Sequence, residues 1–407
     1  MKKWYVAAAG LMFIGMAATT ASAALENEFG GYWRSRFLYM DNFDGKDSDS
    51  VFYVDQRTQL FYTAKFSENF KFVNKFEFNS GWGDTTNKNA AAAGLGAGGD
   101  LGADGKGNFR IKNSYADFNI GQKMNAKVGI QGFTISRGFI FDDDASGITL
   151  TGNFGNITVP LVWMVLDDND VAGWDVATAS NQNQNLFAAL AAVKVNDAMT
   201  FTPFFVYHII NDSALVQDSK NWYLGGDADL KFGDVTVWGT AIYNGGQIDD
   251  IDNKAYLGAV GVDAGLVHGQ FFYASGDDGK DATENTAFTP APGRSYYWSE
   301  IMGLGVFDDY VSNGSPGDGI SNVWAANAGV TIKPIDKLQI DADLWYAALA
   351  EDNTAGDKEL GWEIDGKIGY TLYENLTAEA IAAYLISGEA TGDENVMEAG
   401  VRLSLKF

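Results

Sequence analysis

Apolar and polar residues alternate at every second position along almost the whole chain, and this limits the fold more than any other feature. In "NFKFVNKFEFNS" Phe70, Phe72, Phe76 and Phe78 fall on one face, with Lys71, Lys75 and Glu77 on the other. In "LQIDADLWY" Leu338, Ile340, Ala342 and Leu344 oppose Gln339, Asp341 and Asp343. "LGWEIDGKIGY" sets Leu360, Trp362, Ile364, Ile368 and Tyr370 against Glu363, Asp365 and Lys367. A period of two marks strands with one apolar face and one wet face. The pattern predicts strands at 29–39, 51–66, 70–82, 109–120, 125–137, 146–153, 156–167, 185–195, 198–210, 221–232, 235–245, 254–264, 266–276, 322–332, 338–349, 360–372, 376–388 and 396–407. Two of these, 146–153 and 254–264, are weakly patterned, so the count stands at 16 or 18, with 18 the direct reading.

The connections alternate as well. Tight turns such as Ser67-Glu68-Asn69, Gly233-Asp234 and Tyr373-Glu374-Asn375 take turns with long Asp- and Gly-rich segments such as "DNFDGKDSDS" and "SGDDGKDATENTAFTP". An antiparallel up-and-down barrel across an outer membrane has this layout, with short periplasmic turns and long extracellular loops. Closure satisfies every backbone group, and charged faces then line a wet lumen instead of a dry core. The rival is a soluble all-β sandwich, propeller or solenoid. No repeat of fixed period supports the last two.

Composition agrees. Aromatic residues make up 14% of the 407 residues, and 48 glycines accompany only 6 prolines, a balance that suits sheet. Cysteine is absent, so disulfides, thiolate metal sites and covalent haem attachment through cysteine are excluded. A formal charge of −25 argues against nucleic acid or an anionic lipid surface as the main partner. The opening "MKKWYVAAAGLMFIGMAATTASA" has Lys2 and Lys3, a short apolar stretch, and Ala21-Ser22-Ala23, the order of a secretory signal peptide cleaved after Ala23. The expected organisation is a signal peptide at 1–23 and one barrel at 24–407, placed in the outer membrane among lipid and lipopolysaccharide.

A barrel of 16 to 18 strands is wide enough for water, and its inward charges segregate. Arg34, Arg36, Arg57, Lys71, Lys75, Lys127, Arg137 and Arg402 form a predicted basic wall. Asp227, Asp229, Asp341, Asp343, Glu363 and Asp365 form a predicted acidic one. Arg110 and Lys112 share the parity of Phe118 and Ile120, so they are read as facing lipid. Between the fifth and sixth strands, Asp142, Asp143 and Asp144 follow Phe139-Ile140-Phe141; on an inward-folded loop they would narrow the pore and favour cations. Tyr32, Phe61, Tyr223, Trp238 and Trp345 are candidate lumen aromatics. No acidic loop keeps the spacing of a calcium-binding loop. The two histidines, His208 and His268, lack a nucleophile frame, so no catalytic residue, metal or cofactor is expected.

The segment "NSYADFNIGQKMNAKVGIQGFTISRGFIFDDDASGITLTG" resembles the homotrimeric outer-membrane porins of sulfate-reducing and related Gram-negative bacteria. Tyr115, Asp117, Phe118, Gly129, Gln131 and Asp142–Asp144 carry the likeness, and "YWRSRFLYMDNFDGKDSD" is similar in style. The resemblance implies a homotrimer of water-filled barrels. The expected function is passive diffusion of small hydrophilic solutes and ions with a preference for cations. The alternatives are a substrate-specific channel, a barrel sheathing a partner protein and, more distantly, a barrel hydrolase. The chain ends in "GVRLSLKF", where Val401, Leu403, Leu405 and Phe407 oppose Arg402, Ser404 and Lys406. The terminal Phe407 resembles the signal by which assembly machinery recognises outer-membrane barrels.

Overall fold

A computed structural model describes residues 25–43, 45–82, 109–168, 183–211, 219–248, 250–303, 305 and 319–407. The expected signal peptide and most of the glycine-rich segment after the third strand lie outside these residues. Strands run in chain order as β1 (Glu26–Asp41), β2 (Val51–Ser67), β3 (Phe70–Gly81), β4 (Phe109–Ile120), β5 (Met124–Ile135), β6 (Phe141–Asn153) and β7 (Ile157–Asp168). They continue as β8 (Asn183–Leu190), β9 (Ala192–Asn196), β10 (Met199–Ile210), β11 (Ser219–Phe232), β12 (Val235–Ile248), β13 (Ile251–Ala264) and β14 (Val267–Ala274). A two-residue β15 (Glu284–Asn285) precedes β16 (Val323–Ile335), β17 (Leu338–Leu349), β18 (Glu359–Tyr373), β19 (Leu376–Ser387) and β20 (Val396–Lys406).

β8 and β9 both pair with β7 and β10 and form one wall strand interrupted at Ala191, while β15 belongs to a loop. The wall is a closed antiparallel barrel of 18 strands, which decides between the two expected counts. Each wall strand coincides with a predicted one. The largest difference is β6, which begins five residues before the expected start at 146 and so includes Asp142–Asp144.

Closure is made by β1 and β20, from Tyr32↔Lys406 to Asp41↔Met397. Two further backbone bonds extend the seam: Gly31 N–H donates to the Phe407 carbonyl at 2.7 Å, and Phe407 N–H donates to the Gly31 carbonyl at 3.1 Å. The register there is specified by the side chains, because a slip of one residue would turn Arg402 outward and Val401 inward. One end of the barrel carries tight turns. Gly121, Gly155, Gly233 and Gly265 sit in four of them, with φ between 63° and 76°, a conformation that side chains with a Cβ seldom adopt. The other end carries the longer connections, and β1 begins and β20 ends at the turn end.

The outer surface is apolar. On the loop side it bears a belt of rings, one per wall strand from β11 to β19, β15 excepted: Trp222, Tyr243, Tyr256, Tyr273, Trp324, Tyr346, Trp362 and Tyr384. Neighbouring rings meet at 5.4 Å (Trp222–Tyr243), 5.7 Å (Tyr256–Tyr273), 5.3 Å (Trp324–Tyr346) and 4.7 Å (Tyr346–Trp362). A girdle of Tyr and Trp above an apolar band is how a barrel meets the boundary between hydrocarbon and headgroup.

The interior departs from the simple expectation of a polar lumen. On β7 to β20 many inward positions toward the loop end are apolar, although His208, Ser219, Asn221, Asn244 and Asn253 form a buried polar group there on β10 to β13. Met164, Leu186, Val206, Tyr223, Phe272, Ala325, Leu360, Leu385 and Val396 are fully buried in one cluster with loop residues Phe288, Ile301 and Met302. These inward positions cover the connections that fold into the barrel.

Removing Phe407 deletes two backbone bonds and a ring at the seam. We expect the truncated chain to lose about 1–3 kcal/mol of barrel stability. The check is a lower temperature for the heat-induced change in gel mobility, together with less folded barrel in the membrane.

Candidate functional site

Two segments enter the lumen and define the candidate site. The first is the tip of the β5–β6 hairpin. β4 pairs with β5 only up to Ser114↔Ile130, and β6 pairs with β7 only from Ser146↔Val165 onward, whereas β5 and β6 pair with each other up to Ile135↔Phe141. Residues 131–145 therefore leave the wall as a unit. At the tip, Ser136, Arg137 and Gly138 all have positive φ (52°, 57° and 91°), which turns the chain sharply and aims Arg137 across the barrel.

Arg137 does not join the basic wall. Its Nη2 donates to Asp229 Oδ1 at 2.7 Å and to the Ala228 carbonyl at 3.3 Å. Its Nε donates to Thr240 Oγ1 at 3.3 Å, and the guanidinium lies 4.9 Å from the ring centre of Trp238. Ser136 Oγ donates to Asp227 Oδ1 at 3.0 Å. The hairpin thus spans the lumen from β5–β6 to β11–β12.

The second segment is the connection from β14 to β16. Ser295 N–H donates to the Gly138 carbonyl at 3.2 Å, Asp142 N–H donates to the Gly293 carbonyl at 2.8 Å, and Tyr296 stacks on Phe139 at 3.8 Å. Burial at this contact pushes the Tyr296 phenol well up, so it stays protonated and donates to Gln270 Oε1 at 2.9 Å. Further along, Ile301 and Met302 N–H donate to the two oxygens of Glu363 at 2.6 and 2.9 Å. Tyr223 Oη donates to the Thr289 carbonyl at 2.7 Å.

The six expected acidic-wall residues all sit at inward positions, but the folded-in segments and polar neighbours engage them. Asp227 and Asp229 hold the hairpin tip, and Glu363 and Asp365 face residues 299–302. Asp343 Oδ1 meets His268 Nε2 at 2.8 Å and Asn327 Nδ2 at 2.6 Å; Asp341 meets Lys367 Nζ at 3.1 Å. Tyr223 and Trp345 also point inward, but they are buried beneath the loop rather than open to a channel.

Across the lumen the arginines gather at the seam. Arg34 lies opposite Arg57, and Arg36 opposite Arg402, in adjoining register. Like charges directly opposite repel, and carboxylates are interleaved among them. Arg36 makes a two-pronged contact with Asp55, with Nε–Oδ1 at 2.9 Å. Arg402 Nε donates to Glu379 at 2.8 Å, and Arg57 lies 3.5 Å from Glu77. Lys71 meets Asp117 at 3.3 Å. Lys75 and Lys127 instead lie over aromatic rings, Phe61 at 5.4 Å and Tyr115 at 5.5 Å, and neither forms an ion pair among the described residues.

Two sequence expectations need correction. Arg110 and Lys112 were expected to face lipid, but β4 bulges at Lys112, between the pairs Lys75↔Asn113 and Phe76↔Ile111, and Lys112 itself reaches Asp143 and Asp144 inside the barrel. The extra residue inverts the parity beyond it, so Arg110 stands opposite the inward Glu77 and joins the basic side. Asp142–Asp144 lie in a strand, not in a loop, and two of them share one lysine: Lys112 Nζ is 2.6 Å from Asp144 and 3.7 Å from Asp143. Asp142 accepts from Thr134 Oγ1 at 2.6 Å. With Lys75, Phe133 and Gly132 they line a cleft of about 430 Å³ where the hairpin leaves the wall. Among the described residues, no group of three or more histidine and acidic side chains is placed to hold a metal ion.

No protein-family profile and no curated protein sequence matches the chain. Solved structures do match. Pseudomonas aeruginosa OpdQ superposes with a TM-score of 0.59 at 15% identity, over 94% of this chain and 98% of that one. P. aeruginosa OpdK, solved with vanillate, gives 0.57 at 14%, over 93% and 98%. P. aeruginosa OccK2 (OpdF), solved with glucuronate, gives 0.57 at 12%, over 94% and 98%. At these identities the likeness establishes the fold, which is that of the Pseudomonas OccK/OpdK porin barrels. It does not extend to the sulfate-reducing group suggested by residues 113–152.

Arg137→Ala removes the link that pins the hairpin tip to β11–β12. We expect roughly a twofold rise in single-channel conductance and more current noise, read in planar bilayers against the unaltered protein.

Proposed function

We propose that the chain is an outer-membrane channel selective for small ring-bearing carboxylates. The observation that carries this reading is the asymmetry of the lumen. On the acidic side Asp227, Asp229, Glu363 and Asp365 hold two folded-in segments, while Asp341 and Asp343 are met by Lys367, His268 and Asn327, so the space left to a solute is bounded mainly by the side rich in arginine and lysine. A field of one sign across a narrow passage concentrates the opposite ion. Lys75 over Phe61 and Lys127 over Tyr115 add two stations where a ring face and an ammonium lie together, suited to a solute with a ring and a carboxylate. The solved structures of the same fold that hold vanillate and glucuronate support this chemical class.

This reading replaces the sequence-based expectation of a general porin preferring cations. That expectation rested on Asp142–Asp144, where Lys112 offsets one of the three charges and ties Asp143 and Asp144 to β4. The solved structures of this fold also favour the substrate-specific alternative.

Reversal potentials in a salt gradient test the sign of selectivity. The anion reading expects chloride to carry the larger share, with the triple change Asp142–Asp144→Asn moving the potential by only a few millivolts. A large loss of cation preference in that variant would restore the cation reading. Vanillate or glucuronate on one side should block the current, whereas a neutral sugar of equal size should not. Lys75→Ala with Lys127→Ala should weaken that block by about tenfold, near 1.4 kcal/mol.

Self-association as a homotrimer is proposed as well. Its support is a run of polar residues, Gln56, Thr58, Asn74 and Ser114, at outward positions on β2 to β4. Hydrocarbon penalises such groups and a protein neighbour does not. Cross-linking in native membranes should yield a trimer, with Asn74→Leu shifting it toward monomer.

A further inference from the structure

Beneath the β14–β16 connection lie three carboxyl groups whose arrangement the proposed transport does not use. Glu363 is fully buried, and both its oxygens accept main-chain N–H bonds from the segment 298–303. Asp365, two residues on along the same inward face of β18, has its carboxyl beside that of Glu363. Its Oδ2 accepts the Glu300 N–H at 3.3 Å. Its Oδ1 is buried and receives no hydrogen bond.

Two carboxyls in contact cannot both be ionised, and a hydrogen bond between them requires a proton on one. Glu363, already accepting two N–H bonds, is the group suited to carry the charge. The proton therefore belongs on Asp365, whose Oδ1 then donates to Glu363 instead of waiting for a donor that the protein does not supply.

The surroundings offer no substitute for that proton. On β17, Asp343 stands directly opposite Asp365 in register and adds negative charge, although His268 from β14 and Asn327 from β16 share its Oδ1. Asp341, next on β17, is paired with Lys367 of β18. On the other side β19 presents Ala383 and Leu385, and beyond Ala383 stands Glu398 of β20. The loop contributes Ser299 and Glu300. Among the described residues, neither Glu363 nor Asp365 forms an ion pair.

We propose that Glu363, Asp365 and Glu300 form a proton-dependent latch: while Asp365 keeps its proton, the segment 298–303 is seated on β18, and when that proton passes to water the segment is released. Release follows because Glu363 and Asp365, buried side by side and with no ion pair among the described residues, repel once both are charged, and the least costly relief is to let water in beneath the loop. The channel then opens further at alkaline pH and closes down at acid pH. This inference rests on the packing of the loop and holds whichever solute the channel passes.

The chain has no cysteine, so a single thiol reports on the latch. Met302, fully buried under the loop, is replaced in Met302→Cys, and its rate of reaction with a thiol reagent is divided by that of the exposed Ala355→Cys. The ratio cancels the ordinary pH dependence of thiol reactivity. Between about pH 6 and about pH 9 it should rise about tenfold. Adding Asp365→Asn, which can donate to Glu363 at any pH, should hold the ratio low throughout. Adding Glu363→Gln, which removes the charged acceptor, should hold it high throughout. A His268→Gln background should leave the rise in place. A ratio that does not change with pH overturns the latch. So does a rise that survives Asp365→Asn, or one that disappears with His268→Gln. None of these readings depends on transport, so failure of the carboxylate channel reading leaves the test intact.

Discussion

Closure of the sheet on itself is the constraint from which the rest of the structure follows. In hydrocarbon an open edge leaves a row of unpaired backbone groups that nothing can satisfy, so β1 must find β20. The register they adopt brings Arg36 against Arg402 and Val401 against Phe37. One choice of register thereby divides the chain into a face for lipid and a face for water. Arginines from the two ends of the sequence meet at the seam, so the strongest concentration of positive charge in the lumen exists only once the barrel is shut.

The lumen is then shared between two tasks of opposite charge. Carboxylates on β11, β12's neighbour across the hairpin tip, and on β18 bind backbone N–H groups and Arg137 of segments that arrive from the loop end. Charged acceptors suit this purpose because they hold several donors at once and make stronger bonds than neutral groups. Positive groups on β1 to β5 are left on the opposite side, interleaved with Asp55, Glu77 and Asp117 so that the wall does not repel itself. The polarity of the passage is in this sense a by-product of how the loops are anchored.

Much of this was legible in the sequence. Strand number, face assignment and the order of short and long connections all follow from period-two alternation, because each wall strand carries the same boundary conditions. The inward charges of "YWRSRF" and "LGWEIDGKIGY" were assigned to the correct side for the same reason. What escaped the pattern was whatever broke the period. A single bulged residue at Lys112 moved Arg110 from one side to the other. The hairpin tip reads as a loop before a strand at 146, yet Phe141-Asp142-Asp143-Asp144 is strand that leaves the wall, and alternation carries no information on whether a strand keeps its outer neighbours. The one available signal was the excess of apolar residues at both parities in "VPLVWMVL" and "FFVYHII". An inward Met164, Val206 or Phe204 has no purpose in a wet lumen and needs something dry to cover it. The folded-in connections supply that cover.

Departure of residues 131–145 from the wall has a consequence for how such a barrel can vary. The backbone of the tip pairs along its length with itself, Ile135 with Phe141 and Gly132 with Asp144, and with neither flanking strand, while Lys112 and Asn113 of β4 reach Asp144 by their side chains alone. Its turn can therefore lengthen, shorten or change composition without shifting the register of any wall strand. The aperture and the scaffold are separable parts: one barrel, whose stability is settled at the seam, can carry many different eyelets.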